Sequence, residues 1–107
     1  MISTHILDTS LGVTAKEVLV ELAKYENNKW QVISAEKTNS DGRINFNCPQ
    51  EPGVYRLKFE IEDYFLKNKI TPFFLVAPVV FKIVDTDSKY HIPLLLNPFG
   101  YSTYRGS

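Results

Sequence analysis

The stretch GVYRLKFEIE, Gly53–Glu62, decides the fold. Tyr55, Leu57, Phe59 and Ile61 fall on one side, Arg56, Lys58 and Glu60 on the other. That period of two belongs to a strand with one face buried and one face wet. Outward from it the same pattern recurs. KEVLVELAKYE (Lys16–Glu26) has helical propensity, yet Val18, Val20 and Leu22 alternate with Leu19, Glu21 and Ala23. ENNK then turns the chain into WQVISAEKT, so a hairpin is predicted. NSDGR is a turn, because Asp-Gly supplies the positive φ angles of a tight reversal, and CPQEPG is a second loop. ISTHILDT, APVVFKIVD and KYHIPLLLNP read as further strands, in which Pro72, Pro78 and Pro93 suit only edges, starts or bulges. EDYFLKNK has its acids first and its lysines last, as a helix of about two turns does. Seven or eight short strands with turn signals between them, plus one brief helix, predict an all-β antiparallel sandwich in a single domain, residues 1–107.

Bulk composition narrows the function. A chain of 107 residues, 44% hydrophobic and 22% charged, buries a sizeable core without staples. Twelve basic residues balance twelve acidic ones and are scattered, which excludes the basic footprint of a nucleic-acid binder. The longest nearly apolar run, PFFLVAPVVF (Pro72–Phe81), is half the ~20 residues of a membrane-spanning helix. No charged leader precedes an apolar stretch, so the expectation is a soluble cytoplasmic protein with neither membrane nor nucleic acid as partner. Cys48 is the only cysteine, which excludes an internal disulfide. With no histidine near it in sequence, it reads as a small buried hydrophobe rather than a nucleophile.

Few residues are suited to chemistry. His5 shares a strand face with Ser3 and Leu7, and His91 shares one with Lys89, Pro93 and Leu95. Imidazole is the side chain best matched to proton transfer near neutral pH, although a strand histidine is more often structural. The two lie 86 positions apart, with Asp8 as a nearby carboxylate, and carry no ligand-spacing signature for a metal. Arg43, after the Asp-Gly turn, and Arg105 offer guanidinium forks for a planar, carbonyl-rich or anionic molecule; the alternative for each is solvated surface charge. Ser107 brings a hydroxyl and a terminal carboxylate together, and no G-x-S-x-G elbow surrounds any serine.

Three blocks carry a resemblance. STHILDTSLGVTA (residues 3–15), DGRI (41–44) and YHIPLLLNPFGYSTYRGS (90–107) together resemble the 5-hydroxyisourate hydrolases, a family related to transthyretin. The likeness runs through essentially the whole chain. It implies a transthyretin-like sandwich of two four-stranded sheets, assembled as a homotetramer, a dimer of dimers, with sites in the channel between dimers. It also implies hydrolysis of the small molecule 5-hydroxyisourate to 2-oxo-4-hydroxy-4-carboxy-5-ureidoimidazoline, between urate and allantoin, without metal or organic cofactor. By the same resemblance His5, Arg43, Tyr104 and Arg105 contact substrate. His5, His91 and Ser107 surround the hydrolytic centre, and Gly106 lets the terminal backbone come close. The chain departs from the pattern at Lys89-Tyr90-His91, where relatives commonly have His-Tyr-His, and at FFLV (73–76) and GVTA (12–15). Lys89 is expected to lower the His91 pKa by like-charge repulsion. The main rival is a transthyretin-type carrier of an aromatic ligand, which is expected to lack the Tyr-Arg-Gly-Ser end and the two His and two Arg of a polar channel.

Overall fold

The computed structural model describes residues 1–107. In chain order the elements are β1 (Ile2–Asp8), β2 (Val13–Thr14), β3 (Leu19–Glu26), β4 (Lys29–Lys37), β5 (Arg43–Phe46), β6 (Gly53–Glu60), α1 (Ile61–Lys67), β7 (Val76–Ile83), β8 (Tyr90–Asn97) and β9 (Gly100–Thr103). One sheet runs β4-β3-β6-β7. In the other, β2 and β5 lie along one edge of β1, with β8 and then β9 beyond it. All pairings are antiparallel except β1 with β8, which run side by side in the same direction.

The two sheets close on the apolar face read from sequence. Tyr55, Leu57 and Phe59 of β6 are 1%, 0% and 0% exposed, and they meet Ile2, Ile6, Leu94 and Leu96 of the opposite sheet within one core. Each such aliphatic side chain contributes about 1.5–3 kcal/mol by leaving water. Ile61 stays buried but opens α1 instead of closing β6. The Ile61 and Glu62 amides both donate to the Leu75 carbonyl, which turns the chain out of the strand. Ala23 also departs from simple alternation. A register shift between Leu22 and Ala23 makes both consecutive side chains buried. The hairpin after β3 turns on Asn27 and Asn28, both left-handed with φ of 54° and 62°.

Pro93 corrects the expectation that proline keeps to edges, starts or bulges, since β8 is flanked by β1 and β9. What permits it is a gap in the ladder. Pairing with β9 runs from Asn97↔Gly100 to Leu94↔Thr103 and stops where a Pro93 amide would be needed. The Thr103 hydroxyl instead donates to the Pro93 carbonyl at 2.7 Å. Pairing resumes once, at His91↔Gly106. Pro78 lies on the edge strand β7, and Pro72 lies in the loop before it.

Gly42 fixes the turn that feeds β5. Its φ is +72°, and a Cβ there would meet the Ile6 carbonyl oxygen at 2.7 Å. That same carbonyl accepts from Ala15, while the Ile6 amide donates to the Gly42 carbonyl. Gly42→Ala is therefore expected to destabilise the fold by about 1–3 kcal/mol. At roughly 4–8 °C per kcal/mol for a domain of this size, a thermal melt resolves the change. A variant melting with the parent would show that the turn is not under this constraint.

Asp8, weighed above as a carboxylate beside His5, points into the core and cannot join it. It is 0% exposed and accepts from Ser10, Leu11 and the Tyr64 hydroxyl, the last at 2.7 Å. Burial pushes its pKa up, but the Ser10 and Tyr64 hydroxyls and the Leu11 and Ser10 amides outweigh that and hold it below the ordinary value.

Candidate active site

The outer face of the five-stranded sheet gathers three of the predicted residues. The register of β1 against β5 sets His5 opposite Arg43, and the parallel register of β1 against β8 sets Ser3 opposite His91. Because side chains alternate, Ser3, His5, Arg43 and His91 all project away from the core that Ile2, Thr4, Ile44 and Ile92 enter. Asn39 braces the turn carrying Arg43. Its side-chain oxygen accepts from the Asp41 and Arg43 amides at 2.9 and 3.0 Å.

Both imidazoles are held below the ordinary pKa of 6.5. For His5 the causes are burial and then the Arg43 charge, only partly opposed by the backbone and carboxylate of Asp41. For His91 they are burial, Arg43 and His5. The charge acting on both rings is thus Arg43, joined at His91 by His5. Lys89, expected to act on His91, lies exposed just before β8 and takes no part. A pair of neutral imidazoles beside a guanidinium is able to take a proton from water at neutral pH and hold a negative oxygen.

His91 is fixed on two flanks. Its Nδ1 is 2.8 Å from Ser3 Oγ. On the other side a Cβ on Gly106 would meet ring atom Cδ2 at 2.6 Å, so only glycine fits there, and the Gly106 amide donates to the His91 carbonyl at 2.8 Å.

Tyr104 and Arg105 belong to a different part of the surface. With Phe81, Tyr90, His91 and Ile92 they line a hollow of about 150 Å³ between β7 and the tail. The Arg105 guanidinium lies 4.6 Å from the ring centroid of Tyr90, whose side chain is buried, and reaches the Lys89 carbonyl at 3.4 Å. Within one chain, then, Arg105 does not stand beside Arg43, and His91 is the residue common to both groups. Ser107 is exposed next to Gly106. Cys48 is half-buried, and burial pushes its thiol pKa up, which suits an inert packing role. Sequence reading missed the part played by Ser3. It was noted only as a face-mate of His5, and no local pattern announces a contact made across 88 positions by a parallel register.

Residues 2–106 match the HIUase/Transthyretin family. A 5-hydroxyisourate hydrolase of Halalkalibacterium halodurans is 44% identical over 99% of this chain and 97% of its own length. The solved structure of Klebsiella pneumoniae 5-hydroxyisourate hydrolase superposes with a TM-score of 0.88 at 36% identity, covering 99% of this chain and 98% of that one. Transthyretin from Sparus aurata superposes with a TM-score of 0.91 at 32% identity, covering 98% and 95%. The chain belongs to the HIUase/transthyretin family.

Proposed function

We propose that this protein hydrolyses 5-hydroxyisourate, opening the six-membered ring by water attack at a ring carbonyl. The observation that carries the reading is the meeting of His5, His91 and Arg43 on one sheet face, both imidazoles kept neutral by burial and by the guanidinium. Water adds across the carbon–nitrogen bond: its oxygen goes to the carbonyl carbon and one proton reaches the departing ring nitrogen. One imidazole takes the proton from water and an imidazole returns one to nitrogen. Arg43 holds the carbonyl edge and offsets charge in the tetrahedral state. The product is 2-oxo-4-hydroxy-4-carboxy-5-ureidoimidazoline. The 44% identity to a hydrolase over nearly the full length supports this substrate over the ligand of a carrier.

The reading includes assembly. The resemblance implies a homotetramer, and the outer face that carries the histidines also bears the half-buried Leu7 and Leu95, apolar residues of the kind an interface covers. In a dimer of dimers that face would be shared, and Tyr104, Arg105 and Ser107 would line the cleft. Light scattering after gel filtration reads the mass directly, and a monomer would remove this part.

The deciding experiment generates 5-hydroxyisourate from urate in place and follows its ultraviolet absorbance. Faster decay on adding the protein is expected, and an unchanged decay overturns the assignment.

The pH profile gives a further expectation. A lowered pKa means that the unprotonated imidazoles persist at pH values where an ordinary histidine is already charged. The acid limb of kcat/KM therefore has its midpoint below 6.5, and activity falls as pH drops through the lowered values. Arg43→Ala removes the depressing cause second to burial at each imidazole, so the midpoint moves up while burial keeps it from returning fully. A midpoint unmoved or lowered by that substitution would contradict the electrostatic account. Stability follows the same sign: the contribution is full above the unfolded value and is lost as pH falls through the folded ones.

A further inference from the structure

We propose that Ser3 is a positioning residue for His91, fixing the orientation of the ring and presenting Nε2 to the substrate. The inference builds on the hydrolase reading for its kinetic consequence, but it stands on geometry of its own. Ser3 and His91 are register partners on neighbouring parallel strands, so their side chains leave the same face at the same level. The Oγ–Nδ1 distance is 2.8 Å, and no other side-chain hydrogen bond involves the Ser3 hydroxyl. Gly106 packs on the Cδ2 flank so closely that a Cβ would reach 2.6 Å from that atom. With Nδ1 tied on one side and the Cγ–Cδ2 edge blocked on the other, rotation about the Cβ–Cγ bond is restricted. The ring then exposes the Cε1–Nε2 edge.

A hydroxyl both donates and accepts, so Ser3 fits either tautomer of a neutral imidazole, and what it fixes is the aim of the ring. A ring without a partner turns about Cβ–Cγ, so as base or acid it spends part of its time misdirected. A hydroxyl at 2.8 Å holds it in one orientation. The bond is not needed to hold the strands, because β1 and β8 share seven register pairs, from Ile2↔Tyr90 to Asp8↔Leu96.

The test compares wild type with Ser3→Ala and Ser3→Thr. Alanine deletes the hydroxyl and threonine restores it on a strand-compatible side chain. Ser3→Ala is expected to lower kcat by about 10- to 100-fold with KM little changed. Its melting temperature should stay within about 4 °C of the parent, and Ser3→Thr should recover most of the turnover. Nuclear Overhauser contacts between the His91 Hδ2 and the Gly106 α-protons read the orientation of the ring without any substrate. Strong contacts are expected in wild type and Ser3→Thr, and weakened ones in Ser3→Ala. Contacts unaffected by Ser3→Ala, or absent from the wild type, overturn the proposal, as does full turnover in Ser3→Ala. A wild-type protein inert toward 5-hydroxyisourate would sink the hydrolase reading alone, since the Overhauser contacts still decide whether Ser3 holds the ring.

Discussion

Alanine at His5 or at His91 lowers turnover about 10²–10⁴-fold while the protein stays folded; this is the expected result if either imidazole moves a proton in the rate-determining step. The structure sets the conditions for that outcome. Both rings leave the wet face of their strands, so neither substitution opens a cavity between the sheets. Each ring also depresses its own proton affinity by burial near Arg43, and His5 further depresses His91. Removing His5 therefore has a second signature. The pKa of His91 rises as one neighbouring cation disappears, and the acid limb of the residual activity shifts upward. Steady-state rates by ultraviolet absorbance, with a thermal melt for each variant, check both points. Near-parental rates in both single variants would mean that proton transfer is handled elsewhere.

The second large effect concerns the tail. Deleting Tyr104 to Ser107 is expected to cost at least about 10²-fold in turnover, because the wall against His91 and the Arg105 side of the adjoining hollow go with it. The fold loses little: one backbone hydrogen bond, Gly106 to His91, the long Arg105 bond to the Lys89 carbonyl, and the packing of Arg105 on Tyr90. Those contacts are worth about 1–2 kcal/mol together, a fall in melting temperature of roughly 4–16 °C. Gel filtration separates the outcomes. A truncated chain that is folded and inactive assigns the tail to the reaction. One that no longer folds makes it part of the sandwich first, and one that retains full rate removes it from the site.

The fold was legible because the sandwich is written in local periodicity. Tyr55, Leu57 and Phe59 alternate with Arg56 and Lys58, and burial follows that alternation because each pleat sends successive side chains to opposite faces. The turns were readable for the same local reason. Asp41-Gly42 needs a left-handed residue, which glycine adopts without a clash. Local patterns failed where a neighbouring element intervened. Ile61 continues the alternation of β6, yet the Leu75 carbonyl captures its amide and starts a helix. Pro93 reads as an edge residue, yet it sits inside a sheet because the partner strand stops pairing beside it.

By itself, then, the sequence determined the class of fold, the two-faced strands and, through its three motif blocks, the family. Only the tertiary structure decided which of the scattered groups meet. His5 and His91, 86 positions apart, share a face because β1 and β8 run parallel in one particular register, a long-range pairing that no residue pattern specifies. That pairing also brought Ser3 to His91. The physical reason is that periodicity encodes which face a side chain takes, whereas its neighbours across strands depend on how the whole sheet is ordered.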